Sequence, residues 1–567
     1  MIESNSVEVG SGDLISETAT GPSLATAIPI RPFAAALEYP RVLSLALLLA
    51  IAILVRTLGL GASGFSEDEI HKLRAIQAYG RWDFTANAEH PMLMKLGDWA
   101  SFTAARWWNA HGAFAAITTI SPEAAIRLPN AMVGGATTSV VFLLAETLFD
   151  TTVGAWAGLF WALDVNAAAI NRIGKEDTFL LFFLLLAAYL FERGKAASIP
   201  DRAGGRRWFI LSGGSFGLML ASKYMPHYFG LHALFNIAAP SHPHDDKPDK
   251  RLSFFVAMGA LFLAGNFAVL LPGTWAYIAA YAHGDTLRHS GYNFAHHVYV
   301  NAVDATPWGL PPTFYVMFLA TKVSLVVLAA AIVGFLWAAR HPSDRGATFL
   351  RVFLVFTLVP YSLVASKFLR YMLPLLAVID IAAGVGIAWL LRQLDTIRAR
   401  AGRELLAGTL ALVAIVPPLT QQISSAPFYS LTQNALGARL APRGWFFPDD
   451  EFYDAGVREA VAAIATAAAP GAVVCSDATA VVDEYLDRHG RADVRSCSIA
   501  HDGLPMTAVD TWVVAQDGHT YFENLGVIEQ LQRRMHPWTE IRIAGVLAAQ
   551  VFHVQQAPQV AHGPREP

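Results

Sequence analysis

The sequence predicts a mostly α-helical protein: a polytopic transmembrane helix bundle of about eleven spans, with interfacial helices in the first outer loop and a small C-terminal extracytoplasmic α/β domain. Three observations predict it. Of the 567 residues, 54% are hydrophobic and only 15% charged, with a mean hydropathy of +0.40; a soluble domain carries about 25% charged residues. Apolar runs approaching the roughly 20 residues needed to cross a bilayer recur from Arg41 to Gln421. Beyond Gln421 the pattern changes to short apolar strands alternating with helical periodicity.

Residues 1–40 are polar and rich in Ser, Thr, Gly and Pro, without the basic-then-apolar order of a signal peptide, and read as a disordered cytoplasmic tail. Residues 41–420 form the transmembrane region, with spans beginning near Arg41, Glu123, Val153, Thr178, Trp208, Pro226, Leu252, Thr313, Phe349, Met372 and Leu405. Lys and Arg concentrate in the loops 193–207, 240–251, 340–351 and 392–403. All four fall on one side of the bundle, and the positive-inside rule makes that side the cytoplasm. The loop 62–122, the loop 272–312 and residues 421–567 are then outside. The first of these carries Trp82, Trp99, Trp107 and Trp108 among apolar residues, as helices lying in the membrane interface do. In the last, Phe452–Ala468 and Ala480–Arg488 read as helices. Ala472–Cys475, Asp510–Ala515 and Val546–Val554 read as strands of a parallel or mixed sheet.

The net charge of −4 gives no reason to expect a nucleic-acid partner. Two cysteines, Cys475 and Cys497, exclude a cysteine metal cluster; they are either one disulfide or two buried thiols.

Chemistry is expected where ionisable residues break the apolar pattern. Asp68 and Glu69 follow the first span. Arg172, Lys175, Glu176 and Asp177 follow the third, Lys223 the fifth, and Lys367 and Arg370 the ninth. Each alone is either a snorkelling anchor or a helix-end ion pair. Three outer helix ends each presenting a cation describe a positive pocket, and a lipid-linked phosphate is the anion available at that depth. Asp68 is placed to act as a general base, with Glu69 orienting it or binding a cation. Glu89 and His90 are candidate ligands of a divalent metal; no cofactor is required.

The order of these residues resembles the dolichyl-phosphate-mannose protein mannosyltransferases. Asp68-Glu69-Ile70-His71 is similar to their D-E-x-H, His90-Pro91-Met92-Leu93-Met94-Lys95 to H-P-P-L-x-K, and Arg127-Leu128-Pro129-Asn130 to R-L-P-S. Ser222-Lys223-Tyr224 is similar to T-K-x, and Ser366-Lys367-Phe368-Leu369-Arg370-Tyr371-Met372-Leu373-Pro374 to S-K-x-x-R-Y-x-L-P. Glu89 matches the outer Glu of the related aminoarabinose transferases of lipid A. The resemblance covers residues 41–420. Met92 in place of a second Pro, and a loop 272–312 of about 40 residues with no room for a β-trefoil insertion, favour the bacterial lipid-carrier branch.

The resemblance implies a C-type glycosyltransferase of a bacterial inner membrane, transferring a hexosyl or pentosyl group from a polyprenyl-phosphate carrier to an extracytoplasmic protein, lipid or glycan. It puts the catalytic carboxylate at Asp68 and the donor-phosphate cations at Lys95, Lys223 and Arg370, with Lys367 as a further candidate. His90, Arg172, Lys175, Asp177, Tyr224, His289 and Tyr371 complete the expected substrate-binding set. The runner-up class is a flippase or transporter of polyprenyl-linked lipid, for which Glu146, Asp164 and Asp380 inside the spans would supply a path.

Overall fold

The computed structural model describes residues 41–114, 117–198, 202–240, 249–282, 291–302, 309–505 and 510–554. The tail 1–40 and His289 lie outside the described residues. Helices occupy each position at which an apolar run predicts a span, from Arg41–Thr57 to Arg400–Ser425. Four are long and apolar enough to cross a membrane: Pro122–Leu148, Arg345–Leu363, the run Leu369–Thr396 and Arg400–Ser425. Two bent pairs bring the number to six among the described residues, fewer than the eleven the apolar runs predict. The remaining predicted spans fall on shorter helices, or on helices such as Asp177–Ala197 and Arg202–Ser222 that are long enough but too polar or charged to count. His227–Ala238, with 12 residues, rises about 18 Å against a hydrocarbon core of about 30 Å. The protein is thus an integral membrane protein whose helices differ widely in length.

The helix Leu373–Gln393 is buried along nearly its whole length. It packs closely because Gly386 lies against the backbone of Ala330 and Gly334 against that of Ala382, leaving no room for a Cβ at either glycine. Two of the acids inside the spans have structural uses. Glu146 pairs with Arg41 at 2.5 Å. Asp164 caps the 60° bend after Thr151–Leu163 by accepting from the amides of Asn166 and Ala167. Asp380 is buried in the central helix.

The second bent pair, Phe314–Lys322 and Leu325–Arg340, turns by 119°. Such a break strands carbonyl groups that a lipid environment cannot satisfy. Here residues of the last long helix and from beyond it satisfy them. Asn434 donates to the carbonyls of Ala320 at 2.8 Å and Val323 at 2.7 Å. Gln421 donates to that of Lys322 at 2.8 Å. The Lys322 ammonium in turn reaches the Ser430 carbonyl at 2.8 Å and the Glu451 carboxylate at 2.5 Å.

After residue 440 the chain builds a mixed five-stranded sheet. Its strands are β3 (Val473–Cys475), β4 (Arg495–Cys497), β5 (Thr511–Gln516), β6 (Thr539–Ile543) and β7 (Val546–Val554), in the order β4-β3-β5-β7-β6. β3 is parallel to β4 and β5, and β7 antiparallel to β5 and β6. β4 and β6 escape the sequence reading, being short and only partly buried. Cys475 and Cys497 face each other across β3 and β4 and form a disulfide. A hairpin of β1 (Gly291–Phe294) and β2 (His297–Val300) lies between the membrane helices and this region.

The predicted helix Phe452–Ala468 is in fact two. Pro448–Phe452 ends, Tyr453, Asp454 and Gly456 take positive φ values of 48°, 62° and 104°, and a second helix runs Val457–Ala467. Lys322→Met is expected to lower stability by about 3–5 kcal/mol, because it leaves Glu451 a buried, unpaired charge. Adding Glu451→Leu is expected to recover most of the loss, as thermal unfolding in detergent would show.

Candidate active site

The site is built on the start of the helix Glu67–Tyr79. Ser66 and Glu69 form a reciprocal capping box there, which fixes the direction of the first turn. Glu69 is fully buried, and its carboxylate does two further things at once. It takes a two-pronged ion pair from Arg127, at 2.7 and 2.6 Å. It accepts from the Gly174 amide at 3.0 Å, so tying the helix to the loop 172–176. Arg127 also donates to the carbonyls of Leu60, Ser63 and Gly64. Glu69 therefore has no lone pair turned to solvent: it supports the site and does not contact a substrate or a cation from outside.

One residue earlier, Asp68 points the other way. Its Oδ2 takes the Lys175 ammonium at 2.5 Å and the Tyr453 hydroxyl at 2.8 Å. Its side chain still keeps 39% of its surface open, and Oδ1 has no partner among the described residues. Burial pushes the carboxyl up, but Lys175 and Arg370 outweigh it and hold the group well below the usual carboxylate range. Lys175 is pushed down by burial, partly offset by Asp68. Its loop is held by Asn130, which donates to the carbonyls of Ile173 and Lys175.

A second group of charges adjoins the first. Lys223 pairs with Asp177 at 2.7 Å and sits over the Tyr371 ring at 5.1 Å. The Arg370 guanidinium lies 4.0 Å from Asp177 and 4.0 Å over the Phe368 ring, and it makes no hydrogen bond with any described residue. Four helix ends that are remote in sequence thus bring Asp68, Lys175, Asp177, Lys223, Arg370 and Tyr371 together.

Other expected residues are placed elsewhere or used otherwise. Lys95 is buried, with its ammonium on the carbonyls of Asn87 at 2.5 Å and His90 at 3.0 Å. It pins the loop before its own helix rather than facing a phosphate, and burial, with Lys72, pushes it down to about 7. Arg172 clamps the carbonyls of Arg56, Leu58 and Gly59 and lies over the Tyr429 ring. Lys367 is buried and donates to the carbonyls of Leu310 and Val364. These three cations fasten backbone carbonyls. His90 is half-buried, and burial lowers it well below its usual value against the opposing pull of Glu176, leaving a neutral imidazole. The Tyr224 hydroxyl accepts from Asn266 at 2.9 Å. Glu89 accepts from Asn87, and no group of three His, Cys, Asp or Glu side chains converges to hold a metal among the described residues.

Three residues that the sequence reading does not select belong to this arrangement. Lys72 pairs with Glu176 at 2.7 Å in a fully buried bridge behind Lys175. Tyr453 reaches Asp68 from beyond the last long helix, and its neighbour Asp454 accepts from the Glu67 amide at 2.8 Å and pairs with His519. The Asp454 and Gly456 residues within an otherwise continuous helical periodicity were the available signal for Tyr453. The His519 imidazolium is raised to about 10: burial opposes this, and Asp454 outweighs it. Stability from this pair is expected in full below the unfolded value near 6.5, declining as pH rises and gone above about 10. His519→Gln should remove that slope from denaturation curves taken across the range.

Comparison with known proteins adds one partial family match. Residues 108–269 match the model of the dolichyl-phosphate-mannose-protein mannosyltransferase family, a stretch that holds Arg127, Lys175, Asp177 and Lys223. No curated protein matches the sequence. Among solved structures, the chain aligns with ArnT from Cupriavidus metallidurans bound to undecaprenyl phosphate, at 14% identity over 91% of this chain and 99% of that one, with a TM-score of 0.48. It aligns with the Archaeoglobus fulgidus oligosaccharyltransferase tethered with an acceptor peptide at 12% identity over 84% and 69%, TM-score 0.47. With the S. cerevisiae protein O-mannosyltransferase Pmt1-Pmt2 complex the figures are 19%, 44% and 35%, TM-score 0.29. Over residues 108–269, less than a third of its length, the chain is similar to the dolichyl-phosphate-mannose-protein mannosyltransferase family.

Proposed function

We propose that this protein is a membrane glycosyltransferase that moves a sugar from a polyprenyl-phosphate carrier to an acceptor on the extracytoplasmic face. The observation that carries the reading is the pairing of a half-open carboxylate, Asp68, with an Arg370 guanidinium that no described residue hydrogen-bonds. The first suits an incoming nucleophile and the second a departing phosphate. The family match supports the same reading. The Cys475–Cys497 disulfide fits an oxidising compartment for residues beyond 421.

In the proposed step an acceptor hydroxyl or amine attacks the anomeric carbon as the bond from that carbon to the phosphate oxygen breaks, with inversion. The acceptor's proton passes to Oδ1 of Asp68, the oxygen left open by Lys175 and Tyr453. The bonding pair leaves on the polyprenyl phosphate, whose charge develops against Arg370 and Lys223. A strongly depressed carboxyl is always ionised but weakly basic, so the proton is transferred late, once bond formation has made the acceptor acidic.

Asp68→Asn is expected to lower turnover of a polyprenyl-phosphate sugar by about 10²–10⁴-fold, measured as carrier phosphate released in detergent; unchanged turnover by a folded variant would sink the assignment. Arg370→Met is expected to weaken binding of undecaprenyl phosphate by more than tenfold, and Lys95→Met to leave it within about threefold, as titration would resolve. Equal losses in both would return Lys95 to the phosphate site.

A further inference from the structure

We propose that residues 449–454 form a strap that completes the site, with Tyr453 as a positioning residue for Asp68. The proposal rests on the transfer reading above and extends it to a segment that no expected site residue occupies.

The geometry begins at one oxygen. Lys175 and the Tyr453 hydroxyl both bind Oδ2 of Asp68, at 2.5 and 2.8 Å. Two directional contacts on the same atom stop the carboxylate from turning over and present Oδ1 in one orientation. Lys175 alone would not do so, since an ammonium is a point charge that pairs equally well with either oxygen. Asp68 does not need Tyr453 for solvation, because 39% of its side chain is already open.

The backbone that delivers the phenol is itself unusual. Tyr453 and Asp454 adopt left-handed conformations, φ 48° and 62°, which cost free energy in residues with a Cβ and persist only where the surroundings over-determine them. The surroundings do so here. Asp450 accepts from the Tyr292 hydroxyl at 2.5 Å and from the Leu369 amide at 3.0 Å. Glu451 pairs with Lys322 at 2.5 Å. Asp454 accepts from the Glu67 amide and pairs with His519. Asp450, Glu451, Tyr453 and Asp454 are therefore fastened to the hairpin, to the membrane helices, to the Asp68 helix and to the sheet region. Two of these anchors adjoin the chemistry directly: Glu67 precedes Asp68, and Leu369 precedes Arg370. The strap fixes the distance between the base and the phosphate cation, so it positions the nucleophile's side of the reaction relative to the leaving group's.

The test uses the full chain in detergent with a panel of undecaprenyl-phosphate sugars, read as released undecaprenyl phosphate. Tyr453→Phe keeps the ring and loses only the donor; kcat is expected to fall by about 10- to 100-fold, with the donor KM within about threefold. Trifluorotyrosine at position 453, nearly the same in shape, should shift kcat in a graded way that tracks its stronger donor, a response that a purely structural ring would not produce. If Tyr453→Phe retains kcat within twofold while Asp68→Asn is inactive, the strap is overturned and the transfer reading stands. If Asp68→Asn is as active as the parent, or the parent releases no carrier from any donor, the transfer reading fails and the strap fails with it.

Discussion

The bonded pair of Glu69 and Arg127 is the constraint on which the site depends. Both charges are removed from water, which is tolerable only when every lone pair and every N–H finds a partner. Here they do: Glu69 accepts from the guanidinium, from two backbone amides and from nothing outside, and Arg127 covers three loop carbonyls. The pair joins the loop after the first helix, the helix Pro122–Leu148 and the loop 172–176 at one point. Because Asp68 and Glu69 are adjacent on a capped helical turn, holding one inward obliges the other to face outward. The open carboxylate is a consequence of the closed one.

The cations divide along the same line. Some lie against carboxylates of the candidate site, and others satisfy backbone that helix breaks and tight loops have stranded. Lys175, Lys223 and Arg370 belong to the first kind, and Lys95, Arg172 and Lys367 to the second. The second kind is a structural necessity in a bundle with bent spans, since a carbonyl without a partner at membrane depth is costly. It also gives the site rigidity, because each of those lysines and arginines immobilises the loop beside a functional neighbour.

This division also marks how far the sequence could be read. The helices and the convergence of Asp68, Lys175, Asp177, Lys223 and Arg370 were legible, because ionisable residues at the ends of apolar runs are rare and positions outside that pattern are few. Whether a given lysine faces a ligand or a carbonyl was not legible: Lys95 and Lys223 look alike in sequence, and only the path of the loop 86–90 separates them. Glu69 could be assigned a supporting role but not its partner, Arg127, 58 residues away. Tyr453 was concealed differently. Its segment has the periodicity of one helix, and the left-handed residues that break it carry side chains rather than being glycines throughout. β4 and β6 were missed because strands of three and five residues at a sheet's edge need little apolar patterning.

The bent helix that ends at Lys322 has a consequence for how the protein comes into being. Its stranded carbonyls are met by Gln421 and Asn434, and its lysine by Glu451, so residues made about a hundred positions later close a defect inside the bundle. A ribosome releasing this chain inserts the helix long before those partners exist. Until they arrive, the bend must be sheltered by other means, and Asp68 stands without Tyr453. The contacts around Asp68 are therefore complete only once the residues beyond 421 have joined the bundle.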